Sequence, residues 1–150
     1  MTDLAQVFMD LVRCETRLYN ALGEKLRTGH GLTMNQFEFL RIIDGRDDCR
    51  VNDLAEEAAI TVGATSKGVD RLEAAGWVAR RPNPSNRRSS LLELTPEGGE
   101  LLAAATPTFE DGLRSLLAEP LTAGSLQRLA STLTLLRRTL EDTSTGIPAA

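Results

Sequence analysis

The chain has 150 residues, a formal net charge of −4, 41% hydrophobic residues and 4% aromatics. That length suits one domain, the composition favours a helical, aliphatic core rich in Leu and Ala, and no run of about 18 apolar residues exists to span a membrane. Two distant cysteines and one histidine exclude a disulfide scaffold and a zinc-ligand spacing, and an N-terminus carrying Asp3 and Asp10 without a basic, apolar leader points to a cytoplasmic protein.

Residues 3–28 are expected to form one long amphipathic helix. Leu4, Val7, Phe8, Leu11, Leu18, Leu22 and Leu26 share a side, with Cys14 at its edge; Asp10, Arg13, Arg17, Asn20, Glu24 and Arg27 fill the rest. At 1.5 Å per residue such a helix reaches about 38 Å, more than a small domain can cover. Gly29-His30-Gly31 breaks the pattern. Thr33 then caps a second helix that runs to about Asp44. Gln36, three residues on, completes a capping box, and Phe37, Leu40 and either Ile42 or Ile43 form the buried face. A polar turn over 45–49 follows, with Cys49 in a loop beside Asp47 and Asp48, and residues 50–52 suit a very short strand.

A short helix over 53–58 presents Leu54, Ala55 and Ala58 on one face, and Ile60 lies in the turn after it. Thr61 is a good N-cap for the next helix, where Val62, Thr65, Val69 and Leu72 recur as a single buried stripe. Gly76 suits the residue just past its C-terminus. Two strands, 77–81 and 91–94, flank a loop over 82–90 with Arg87 and Arg88 at its tip; Trp77 is assigned to the core. Thr95-Pro96-Glu97 reads as cap, first-turn proline and first-turn acid of a helix to about Ala118, whose Pro107 predicts a bend or break near Thr106. The last helix, 122–141, repeats Leu126, Leu129, Leu133, Leu136 and Leu140 at intervals of three and four. Residues 143–150 are small and polar and are expected to be disordered.

Helix, short turn, helix and a basic-tipped hairpin is the order of a winged helix-turn-helix. Between residues 61 and 95 six bases stand against three acids, a local +3 that leaves −7 on the rest of the chain. Binding to a polyanion follows local phosphate contacts rather than total charge. The stretch resembles the MarR family of transcriptional regulators. The resemblance is carried by Asp53-Leu54-Ala55-Glu56, Asp70-Arg71-Leu72-Glu73-Ala74-Ala75-Gly76-Trp77-Val78, Arg80-Arg81-Pro82, Arg87-Arg88 and Leu92-Glu93-Leu94-Thr95-Pro96-Glu97-Gly98, with a further match in Leu32-Thr33-Met34-Asn35-Gln36-Phe37. It implies a mainly α fold: a winged helix-turn-helix over 30–98 and helical dimerisation regions at 1–28 and 99–142, within one subunit of 150 residues. It implies a homodimer that binds double-stranded DNA at a pseudo-palindromic operator, most often as a repressor. No membrane partner and no cofactor is expected.

Opposite the buried stripe, the second helix of the pair carries Gly63, Ala64, Lys67 and Arg71, with Ser66 and Asp70 beside them. Gly63 and Ala64 allow the helix N-terminus, capped by Thr61, to approach a phosphate closely. Ala64 suits a thymine methyl, Lys67 or Arg71 suits guanine edges, and Ser66 suits a phosphate. The resemblance also gives Arg71 an alternative role in packing or an ion pair, and Asp70 a structural one. At the wing, arginine entering a narrow minor groove reads DNA shape; Arg88 is placed there, with Arg87 on the phosphate backbone or in a local pair. Family members usually hold this arginine with an aspartate where this chain has Asn86, which offers only a neutral hydrogen bond.

MarR relatives often bind a small phenolic or similar ligand between helical and winged parts. Candidates to line such a pocket are Tyr19, His30, Met34, Phe37 and Phe39, each of which is equally a core-packing residue. Cys14 invites comparison with thiol-based peroxide sensors, although its Cys-Glu-Thr-Arg-Leu-Tyr context is unlike theirs and Glu15 opposes a thiolate. An enzyme is not expected, since no nucleophile elbow, P-loop or paired-histidine motif is present. The remaining alternative, a winged helix that binds protein instead of DNA, is opposed by Arg71, Arg87 and Arg88.

Overall fold

A computed structural model describes residues 1–149. Six helices and three strands follow in the order α1 (Leu4–His30), α2 (Met34–Gly45), β1 (Cys49–Arg50), α3 (Val51–Ala58), α4 (Val62–Ala74), β2 (Val78–Pro82), β3 (Ser90–Leu94), α5 (Pro96–Leu113) and α6 (Ala123–Asp142), with a π-helical turn, Arg114–Ala118, closing α5. The strands form one antiparallel sheet in the order β1-β3-β2, with Cys49 opposite Leu92 and Val78 opposite Leu94.

Local chemistry sets most of the boundaries. Asp3 accepts the Gln6 N–H to start α1. Thr33 and Gln36 exchange backbone and side-chain bonds of 3.1 and 3.0 Å, the expected capping box of α2. The break expected at 29–31 falls later: α1 runs through Gly29 and His30 and stops only where Gly31 turns to φ 68°, because one glycine inside a helix is tolerated while a left-handed residue ends it. α4 ends in the paired bonds of a Schellman cap, Trp77 N–H to Leu72 O and Gly76 N–H to Glu73 O, with Gly76 at φ 83°. The extra strand is Cys49–Arg50, one residue earlier than expected, since Asp53 accepts from the Arg50 N–H at 2.9 Å and starts α3 at once. Cys49 is therefore a buried strand residue, not a loop residue.

Gly98 shows why the Thr-Pro-Glu-Gly start of α5 is so specific. A Cβ at this position would lie 2.0 Å from the Trp77 carbonyl oxygen, the same oxygen that accepts the Thr95 N–H. Only glycine lets α5 leave the sheet against the first wing residue. Pro107 does not break α5: the chain stays helical past it, Thr106 donates its hydroxyl to Leu102 O at 2.7 Å, and the irregularity falls instead in the π turn.

The core joins Leu22 and Leu26 of α1, Phe37, Phe39, Leu40 and Ile43 of α2, Leu54, Val69, Leu72 and Val78 of the winged part, and Leu102, Ala105 and Phe109 of α5. Ile43, rather than Ile42, is fully inside. The expectation of an aliphatic core fails at its centre, where Phe37 and Phe109 sit with ring centroids 4.7 Å apart and Phe39 fills the space under Gly68. Few aromatics are present, but three of the four phenylalanines lie here. Val62, assigned to the buried stripe of α4, is 48% exposed, because it stands at the first helical position before the stripe turns inward; Thr65, Val69 and Leu72 are buried as expected.

Most of the apolar faces of α1 and α6 remain in solvent. Leu4, Val7, Phe8 and Leu11 are exposed, and α6 buries no residue at all. Residues 143–146, at the start of the segment expected to be disordered, form a turn in which Thr145 N–H reaches Leu140 O; Ala150 lies outside the described residues. Among the described residues no helix is long and apolar enough to cross a membrane.

Candidate nucleic-acid interface

The interface is built on α4 and on the hairpin of β2 and β3. Burial of Thr65, Val69 and Leu72 fixes the rotation of α4, so Gly63, Ala64, Lys67 and Arg71 face outward and are exposed, with Ser66 half-buried beside them. Thr61 Oγ1 accepts the Ala64 N–H at 3.1 Å. Thr65 turns its hydroxyl inward to Thr61 O at 2.8 Å, which satisfies a buried polar group without using the outer face. Gly68 lies against Phe39: a Cβ there would come within 2.7 Å of the ring, so α4 seats tightly on α2. No space restricts Gly63, where a Cβ would meet nothing within 4 Å on the protein side.

The basic residues of α4 and the hairpin divide into two groups. Arg80, half-buried on β2, donates to Asp70 at 2.8 Å and to Glu73 at 3.0 Å, giving Asp70 its structural role. Arg81 pairs with Asp48 and Glu93, both at 3.1 Å. Lys67, Arg71, Arg87 and Arg88 make no ion pair among the described residues. The packing or ion-pair role open to Arg71 is not the one it occupies, since its side chain stands exposed beside Lys67. The cations that α4 and the wing leave unneutralised thus lie on the outer helix face and at the hairpin tip.

Asn86 also behaves differently from a simple substitute for an acid. Its Oδ1 accepts from the backbone N–H of Arg88 at 3.0 Å, not from a guanidinium. Sequence reasoning missed Asn83, which is only 9% exposed and bonds both Ser85 and Ser89. It also missed the ion network that ties Arg46 and Arg50 to α3, where Asp53 receives Arg50 at 3.0 Å and Arg46 pairs with Glu57 at 3.2 Å. A cluster of opposite charges around 46–57 was the available signal. The Arg50 hydrogen bonds hold the Asp53 carboxyl below its ordinary value.

The pocket candidates do not converge on one cavity. Phe37 and Phe39 are fully buried packing residues, and Met34 packs against them at the core edge. Tyr19 is on the surface of α1, its phenol pushed up by partial burial and then by the Glu38 and Glu15 carboxylates. His30 is half-buried and bonds Thr108 Oγ1 at 2.7 Å. An open cleft of about 530 Å³ between α1 and α5 is lined by Lys25, Thr28, Gly29, Thr108 and Asp111, neighbours of His30. Cys14 is exposed on α1; burial pushes the Cys49 thiol up.

A MarR family profile matches residues 32–90, from the start of α2 through the wing loop. The multiple antibiotic resistance protein MarR of Salmonella typhimurium is 30% identical over 98 residues, 65% of this chain and 68% of that protein. The HTH-type transcriptional regulator YdgJ of Bacillus subtilis is 27% identical over 97 residues, an alignment that spans 65% of this chain and 59% of YdgJ. In three dimensions the chain is similar to Sco3205, a MarR family transcriptional regulator from Streptomyces coelicolor crystallised in complex with DNA, with a TM-score of 0.86 and 27% identity over 96% of this chain and 91% of that one. Profile, relative and solved structure agree on the segment that holds α4 and the wing, and the agreement in structure extends over the flanking helices. The chain belongs to the MarR family of transcriptional regulators.

Proposed function

We propose that the protein is a homodimeric, sequence-specific DNA-binding repressor of the cytoplasm. The observation that carries this reading is the division of the cations on α4 and the wing: Arg80 and Arg81 are held by acids, while Lys67, Arg71, Arg87 and Arg88 stand exposed and unpaired among the described residues. Phosphate binding needs such uncompensated charge. The α4 face, led by Gly63 and Ala64, enters the major groove; Ser66 and the helix N-terminus capped by Thr61 meet phosphate; Arg88 enters the flanking minor groove and Arg87 follows the backbone.

The exposed apolar faces of α1 and α6 support a two-fold dimer built from both helices. Two copies of α4 would then be set about 34–36 Å apart, one turn of DNA, matching a pseudo-palindromic operator. A small phenolic or similar effector entering between the helical and winged parts would change that separation and break simultaneous fit to two half-sites. Of the candidate residues, His30 is the one beside the open cleft between α1 and α5, through its bond to Thr108.

Selection from random duplexes tests the reading. Inverted repeats with half-site centres about one helical turn apart are the expected product, protected by two protomers per duplex. Enrichment of no duplex at low salt would sink it, and asymmetric single sites would remove the dimer from it.

A further inference from the structure

The wing loop, residues 82–90, contains two arginines and no acid. Its neighbours do not supply the missing counter-charge, because Asp48 and Glu93 are both engaged by Arg81. The loop is nonetheless closed by hydrogen bonds at both of its turns. Asn83, 9% exposed, accepts the Ser85 N–H on Oδ1 at 3.0 Å and donates from Nδ2 to Ser89 Oγ at 2.9 Å. Asn86 Oδ1 accepts the Arg88 N–H at 3.0 Å. Two backbone bonds of 3.2 Å, Asn86 N–H to Asn83 O and Ser89 N–H to Asn86 O, close the same turns. Every bond that shapes the tip is made by a neutral amide, a hydroxyl or the backbone. An amide is also the side chain that both accepts and donates at Asn83; a carboxylate would do the first and add charge, and an alanine would do neither.

We infer that Asn83 and Asn86 are the positioning residues of the wing, fixing the backbone that carries Arg87 and Arg88 through neutral bonds and so presenting both guanidiniums to DNA with their charge intact. The inference rests on the DNA-binding reading for its function but not for its geometry. A salt-bridged tip neutralises part of the arginine's charge within its own protein; this tip neutralises none. The binding it supports is correspondingly more salt-dependent, since each phosphate neutralised contributes about 0.9 to the slope of log affinity against log salt.

The test has a part that needs no DNA. Trypsin cuts after Arg87 and Arg88, and cleavage of a bonded loop requires local opening. In the full chain, Asn83→Ala is expected to speed cleavage at these two bonds about tenfold, the worth of one to two hydrogen bonds. Asn83→Asp keeps the acceptor for Ser85 and accepts from the Ser89 hydroxyl, so it should return cleavage to the original rate. Affinity for a selected duplex is then measured across salt concentrations. Asn83→Ala should weaken binding about tenfold. Asn83→Asp and Asn86→Asp should keep the loop closed but lower the salt slope by about 1 per wing. An unchanged cleavage rate in Asn83→Ala overturns the positioning role whatever the DNA result. Unchanged slopes in both aspartate variants overturn the charge-sparing role. Failure of the unmodified protein to bind any duplex overturns the DNA reading alone, because the cleavage comparison stands without it.

Discussion

At the scale of single residues, caps and turns are legible because each depends on one side chain and its near neighbours in sequence. Thr33, Thr61, Gly76 and Thr95 each close a helix end as their types require. Asn83 is not legible in this way: its partner Ser89 is six residues away across a loop, and nothing in Pro82-Asn83-Pro84 marks a buried amide. Two carboxylates give this protein opposite responses to pH. The Arg50 side-chain bonds hold Asp53 low, so the stability it contributes is complete above the unfolded carboxyl value of about 3.9 and is lost as pH falls through the lower folded value. Burial, reinforced by Glu57, pushes Glu38 up, so its ionisation opposes folding and stability is lost as pH rises through the folded value. Thermal melts from pH 3 to pH 7 are expected to show Asp53→Asn destabilising most at neutral pH with a flattened acid limb. Glu38→Gln should raise Tm at pH 7 and lose that gain in acid. A uniform shift at all pH values in either variant would contradict these assignments.

At the scale of elements, the apolar spacing identifies which residues share a face but not whether that face is covered by the same chain. The stripe of α4 is buried in the core of its own chain, whereas the equally regular stripe of α6 has no fully buried residue. Spacing also fails at element ends, as Val62 shows, since a first-turn residue points away from the surface that the next turn covers. Pro107 misleads for a related reason: one missing N–H is absorbed in a helix already held by Leu102, Ala105 and Phe109. The winged part was legible as a whole because cap, stripe, glycine stop and hairpin follow one another without a gap. Thr61 joins stability to function at this scale, for the threonine that caps α4 also sets the end of the helix that would meet DNA. Replacing it with alanine removes the bond to Ala64 and is expected to cost about 1 kcal/mol of stability, read as a lower denaturation midpoint with unchanged slope. Operator affinity should fall with it. Reduced stability with affinity untouched would remove the helix end from the interface.

At the scale of the whole molecule, a single chain leaves its longest apolar faces without cover. Phe8 is 61% exposed and Leu135 69% exposed, and Leu133 and Leu136 face solvent on α6. These faces are what the proposed dimer would bury, and Leu133→Asp with Leu136→Asp should yield a monomer by sedimentation that retains helical circular dichroism but loses high-affinity operator binding. A double variant that stays dimeric would place the interface elsewhere. The charge distribution works at the same scale: the rest of the chain is net acidic and keeps other faces away from DNA, while residues 61–95 carry a net positive charge whose unpaired members are Lys67, Arg71, Arg87 and Arg88. The effector is illegible because Phe37 and Phe39 are occupied in packing the core while Tyr19 stands apart from them on the surface, so their type indicates no ligand chemistry.

The salt dependence of affinity for a selected duplex tests the central claim most directly, compared among the unmodified protein and alanine variants of Lys67, Arg71, Arg87, Arg88 and the ion-paired Arg81. Each of the first four is expected to weaken binding, with the phosphate-binding members lowering the slope by about 1 for each phosphate no longer neutralised, while Arg81→Ala leaves the slope in place. Equal effects from Arg81 and Arg88, or no binding by the unmodified protein at low salt, would contradict the account.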